Sequence, residues 1–257
     1  MADWNIVEVG KQPTLKEPIL IEGLPGMGNV GKIAVDFLIE SLNAKKFLEL
    51  DSYNLPNSVF IDEDGLIEVP AISFYYKKTK EQDFIFLAGD IQPLDEVSSH
   101  AFCSKVMDVF ESCKGKEIVT LGGIGLPNVP KKSNVYVTAN DKGIRKRYMT
   151  KIVKKDIYGV VGPIIGVSGL LLGAAKKRDV KAVSLLAQTF SHPNYLGVRG
   201  AREILKILTS VLGIEIDLKE LDEEIKEMES SLKKMPAFNL PKKDMIVDAT
   251  QKISYIG

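Results

Sequence analysis

The residues most suggestive of chemistry are concentrated in Gly23-Leu-Pro-Gly-Met-Gly-Asn-Val-Gly-Lys32, between an apolar strand-like run and a helical pattern. Gly26, Gly28 and Gly31 satisfy the dinucleotide fingerprint G-x-G-x-x-G, with Glu49 and Asp51 about 20 positions further on. The same stretch gives Gly26-x-x-x-x-Gly31-Lys32, most of a phosphate-binding loop. Glycines there would let backbone N–H groups face an anion beside a helix N-terminus. Gly26, Gly28, Gly31 and Lys32 are therefore the candidate anion-binding loop. Three features count against nucleotide chemistry. Ile33 stands where a phosphate loop needs a magnesium-holding Ser or Thr. Pro25 precedes the first motif glycine, and no second nucleotide-binding half follows. The competing expectation is structural: tight turning and close helix-to-strand packing.

Gly166-Val-Ser-Gly-Leu170 approaches a nucleophile elbow, but Leu170 occupies the position that G-x-S-x-G reserves for glycine. Ser168 is expected to cap the helix beginning there. His192, in Phe190-Ser-His-Pro-Asn194, is expected to be a turn element, and His100 to be a packed or surface residue of a helix. With two histidines and two cysteines, no transition-metal ligand set has the required spacing. Cys103 and Cys113 lie ten residues apart in one helical segment, about 15 Å along its axis, too far for a bridge. Asp62 and Asp64 suit turn chemistry. Each catalytic pattern lacks a required residue, so no catalytic residue, cofactor or metal is expected.

The elements that must position these groups alternate along the chain. Strands are predicted at 18–22, 46–50, 72–76, 84–88, 117–121, 134–138 and 182–186. Helices are predicted at 30–42, 95–113, 168–177 and 199–212, from apolar residues at helical spacing. Residues 58–61 and 66–69 flank Asp62-Glu-Asp-Gly65, a hairpin signature. Gly122 to Pro130 reads as a loop. The alternation predicts an α/β protein with a mostly parallel or mixed sheet covered on both faces.

Lys plus Arg and Asp plus Glu each number 34 among 257 residues. That balance gives no global field toward nucleic acid or an anionic membrane, although Lys142 to Lys155 is strongly basic. The first residues lack the basic head and apolar run of a signal peptide. The apolar stretch 160–175 is too short and glycine-rich to span a membrane. A soluble cytoplasmic protein is expected.

From Asp217 to Lys234 the character changes. Leu218, Leu221, Ile225, Met228 and Leu232 form a narrow seam spaced 3, 4, 3, 4 in a charged stretch. This helix meets either its own domain or another chain. Two prolines in Met235-Pro-Ala-Phe-Asn-Leu-Pro241 then end helical order. The expected organisation is a core domain over 1–216, a charged amphipathic helix over 217–235, and a flexible tail over 236–257.

Three glycine segments together resemble the proteasome-assembly chaperone family, in its archaeal form. They are Gly23 to Gly31, Thr120-Leu-Gly-Gly-Ile-Gly-Leu-Pro127, and Gly162-Pro-Ile-Ile-Gly-Val-Ser-Gly-Leu-Leu-Leu172. The resemblance spans roughly 18–212. It implies a three-layer α/β/α sandwich, nucleoside-phosphorylase-like, without that active site. It also implies a homo-oligomer, tetrameric or pentameric, that binds the proteasome 20S core particle or its α-subunits through C-terminal tails. By that resemblance Ile253, Tyr255, Ile256 and Gly257 form the partner-binding tail. An aromatic anchor and a terminal carboxylate would enter a pocket between ring subunits, and several tails would add avidity. The sequence departs from the family's hydrophobic–tyrosine–any-residue ending: Tyr255 is third from the end and Ile256 penultimate.

Overall fold

The structure is a computed structural model, and it describes residues 4–155, 159 and 162–234. The strands are β1 (Asn5–Glu8), β2 (Ile19–Gly23), β3 (Lys45–Asp51), β4 (Phe60–Ile61), β5 (Ile67–Glu68), β6 (Ile72–Lys77), β7 (Phe84–Gly89), β8 (Glu117–Leu126), β9 (Val135–Ala139), β10 (Val153–Lys154) and β11 (Lys181–Phe190). The helices are α1 (Val30–Ser41), α2 (Glu96–Ser112), α3 (Lys142–Tyr148), α4 (Val167–Lys177), α5 (Val198–Leu212) and α6 (Lys219–Lys234). Among the described residues, nine strands form one sheet in the order β1-β3-β6-β7-β2-β8-β11-β9-β10, and β4 and β5 form a separate hairpin.

The four central strands β7, β2, β8 and β11 run parallel. They read as nearly continuous apolar runs because both of their faces are buried. Alternate residues serve the two faces. Ile19, Ile21, Phe84, Phe86, Val119, Leu121, Val183 and Leu185 join the core beneath α1, α3 and α5. Leu20, Ile85, Leu87, Ile118 and Ala182 join the core beneath α2 and α4. The result is the three-layer α/β/α sandwich that the resemblance implied.

Caps fix several helix starts. The Asp95 side chain accepts from Ser98 N–H at 2.8 Å, and Asp141 Oδ1 accepts from Gly143 N–H and Ile144 N–H at 2.9 and 3.0 Å. In the hairpin, Asp62 Oδ1 accepts from Asp64 N–H and Leu66 N–H at 3.0 and 2.7 Å, the turn role expected of it.

Three expectations need correction, and one open alternative is decided. Residues 122–126 belong to β8 and not to a loop, because β8 pairs with β11 along its whole length. β1, α3 and β10 have no counterpart in the sequence pattern; they are short, and α3 is rich in charged residues. Gly166, not Ser168, is the N-cap of α4, and no side chain caps it. For the seam, Leu221 is buried while Leu218 and Ile225 pack on the chain's own core, and Asp222 pairs with Arg202 of α5. The first half of that helix thus docks on its own domain. Cys103 and Cys113 are free and buried.

Candidate functional site

β2 is flanked by β7 on one side and β8 on the other, both parallel to it. The chain leaves its carboxyl end through the glycine loop. In open α/β sheets this edge, outside the carboxyl ends of the strands, is where binding crevices form. After Gly23 the chain makes a 3-10 turn over Met27–Asn29 and enters α1.

The glycines bring backbone against backbone. A Cβ at Gly23 would lie 2.2 Å from Gly31 O, one at Gly31 would lie 2.4 Å from Leu121 O, and one at Gly123 would lie 2.1 Å from Met27 O. Gly28 has φ +62°, and a Cβ there would lie 2.6 Å from Thr189 Oγ1 at the end of β11. Gly197 N–H donates to Gly28 O at 2.7 Å. Gly23, Gly31 and Gly123 are therefore closed by backbone packing, whereas Gly26 and Gly28 also line an open cleft.

Lys32 Nζ pairs with Asp36 Oδ2 at 3.0 Å and Asp90 Oδ1 at 3.2 Å. Burial alone would lower its pKa, but the two carboxylates outweigh that and hold it above the ordinary value. Ile33 packs against the core.

Beneath the loop lies a group that the sequence patterns did not single out. Glu22 is fully buried; its carboxyl accepts from Ser168 Oγ at 2.9 Å and from Leu24 N–H at 3.2 Å. Burial drives its pKa up to about 7, against the opposing pull of those two hydrogen bonds. Gln92 Nε2 donates to Pro25 O at 2.7 Å. Glu22, Gln92 and Ser168 line a cavity of about 10 Å³, room for one water molecule. The one available signal was a charged residue at the end of the buried run Ile19-Leu-Ile-Glu22.

Ser168 thus gives its hydroxyl to Glu22, while His192 lines a separate, open cleft of about 470 Å³ with Asn29, Gln92, Ser191 and Tyr195. The His192 ring stacks on Phe190 at 5.5 Å, and its Nδ1 accepts from Asn194 N–H at 3.3 Å, as a turn element does. His100 is exposed on α2. Burial, followed by the Glu22 charge, pushes the Cys103 thiol's pKa upward, away from thiolate reactivity. Among the described residues, no group of three or more His, Cys, Asp or Glu could hold a metal ion. Ile253, Tyr255, Ile256 and Gly257 lie outside the described residues.

The three glycine segments that carry the resemblance therefore converge: 23–31 packs on 121–123, and Ser168 of the third segment holds Glu22. Comparison with known proteins places the whole fold. The structure of Pyrococcus furiosus PbaB, an archaeal proteasome activator, superposes with a TM-score of 0.82 at 32% identity, covering 91% of this chain and 99% of that one. Pyrococcus furiosus PbaA, an archaeal homolog of proteasome-assembly chaperone, matches with a TM-score of 0.74 at 26% identity, covering 90% of each chain. An uncharacterized protein of Methanocaldococcus jannaschii is 29% identical over 225 residues, covering 87% of this chain and 85% of its own. The PAC2 family pattern matches residues 20–235. The chain belongs to the PAC2 family.

Proposed function

We propose that this protein is a non-catalytic, homo-oligomeric chaperone or adaptor of the cytoplasm that engages the proteasome 20S core particle or its α-subunits. The observation that carries the proposal is the 32% identity to an archaeal proteasome activator over nearly the full length of both chains. The site geometry supports the non-catalytic part: Gly23, Gly31 and Gly123 are packed backbone on backbone, and the Ser168 hydroxyl donates to Glu22. No helix among the described residues is long and apolar enough to cross a membrane. In this proposal residues 236–257 form a tail in which Ile253, Tyr255, Ile256 and Gly257 contact the partner. Several tails on one oligomer would gain by avidity, by about 10²–10⁴ where geometry permits. Co-sedimentation of the purified chain with purified 20S particles tests the client. Saturable binding is expected, and its absence at high micromolar concentration would remove the assignment.

A second function has one observation in its favour, the open cleft beside Gly26, Gly28 and Asn29. There the loop would bind a nucleotide or another anion through the backbone of Gly26 and Gly28.

A further inference from the structure

The β4–β5 hairpin stands off the main sheet and carries exposed apolar residues, with Ile61 and Ile67 paired across one of its faces. Ile61, Ile67 and Val69 are 75%, 69% and 76% exposed, and Tyr53, Val59 and Leu66 extend the patch. The patch is also acidic. From Asp51 to Pro70 there are five acidic residues and no basic one.

Its electrostatic complement lies at the opposite edge of the sheet. The hairpin joins β3 to β6, the second and third strands from one edge, whereas β9 and β10 close the other. Of the nine basic residues from Lys131 to Lys155, Lys142, Arg145, Lys146 and Arg147 lie in α3 at the amino end of the sheet, and the other five flank the start of β9 and β10. Lys131, Lys132, Lys151, Lys154 and Lys155 are exposed, and Ile152 is exposed among them. Lys131 and Lys132 precede β9, whose first residue pairs with Ala187 near the carboxyl end of β11. The hairpin opens from the carboxyl end of β3, so both features lie at the same end of the sheet. An acidic cluster thus lies toward one edge of the sheet and a basic cluster at the other.

We propose that the hairpin of one copy docks on the Lys131–Lys155 edge of the next, forming a head-to-tail assembly. Charge selects this arrangement. A two-fold contact of hairpin on hairpin would face acid with acid, whereas hairpin on basic edge joins opposite fields. Such a contact is heterologous, so it propagates until rotation closes it into a ring. This inference gives an interface to the oligomer proposed above and rests on that oligomeric reading, not on the proteasome assignment.

The test reverses each patch in the full chain and reads mass by size-exclusion with light scattering. One variant carries Glu63→Lys, Asp64→Lys and Glu68→Lys; Asp62 is kept because it holds the turn. The other carries Lys151→Glu, Lys154→Glu and Lys155→Glu. Every substituted residue is exposed, and circular dichroism checks the fold of each variant. The expected result is an oligomeric parent and two variants that each fall to the 28.3 kDa protomer. Mixing them in equal amounts restores assembly, because each supplies the charge the other lacks. A monomeric parent, a variant that keeps the parental mass, or a mixture that stays monomeric would each overturn the proposal. Proteasome co-sedimentation is scored separately, so a wrong interface and a wrong client leave different records.

Discussion

Two buried glutamates on neighbouring central strands divide the molecule into unlike ends. Glu117 begins β8 at the amino end, where Arg147 Nη1 and Nη2 donate to its two oxygens at 2.7 and 2.9 Å and the Tyr148 hydroxyl donates at 2.6 Å. Glu22 ends β2 at the carboxyl end, where its hydrogen-bond partners are a serine hydroxyl and one backbone N–H. The first carboxylate has a cation and a bidentate geometry, which suits a structural anchor. The second has only neutral donors, so burial pushes its pKa to about 7. The amino end is built for stability. The carboxyl end holds the glycine loop, the open cleft and the apolar hairpin, and it carries a polar group whose ionisation opposes folding.

Substitution at the amino end is expected to destabilise the fold. Glu117→Ala leaves the buried Tyr148 hydroxyl without its acceptor while Arg147, 42% exposed, turns to solvent, and a loss of about 1–3 kcal/mol is expected in urea unfolding at neutral pH. A loss below ~1 kcal/mol would show that Glu117 is no anchor. At Glu22 the sign inverts. Its folded pKa stands above its ordinary value of 4.5, so the folded state holds the proton more tightly. The associated stability is full below pH 4.5 and is lost as pH rises to about 7. Glu22→Gln mimics the protonated form; it should flatten that pH slope and raise stability at pH 8 by up to about 3 kcal/mol. An unchanged slope in unfolding series from pH 5 to 8 would contradict it.

Gly123→Ala probes the closure of the glycine loop. Met27 O would sit 2.1 Å from the new Cβ, and overpacking of this kind costs about 1–3 kcal/mol, read as a lower Tm. Lys32→Ala should be the mildest, because its two ion pairs are partly solvent-exposed and such pairs contribute below ~1 kcal/mol. The same variant distinguishes the two accounts of the loop. If the loop is structural, calorimetric titration of the parent with ATP or phosphate gives no saturable heat. Saturable heat that Lys32→Ala abolishes would make it an anion site.

The sheet and its covering helices were legible because burial on both faces leaves long apolar runs and helical spacing leaves a stripe. The hairpin was legible from Asp62 and Gly65. What the sequence concealed depended on distant partners. Ser168 could not be assigned to Glu22 across 146 residues, nor Gly123 to Met27. β1 and β10 are short edge strands whose register is set by neighbours, so they carry little pattern of their own. The seam of α6 looked equally suited to two partners until Leu221 was found buried on its own domain.

The most direct test of the proposed role compares binding of purified 20S core particles by the full chain and by a chain lacking Tyr255 to Gly257. The account predicts saturable binding by the first and loss of binding by the second, with the oligomeric mass unchanged. Equal affinity of the two chains would contradict the tail mechanism, and no binding by either would contradict the proteasome assignment itself.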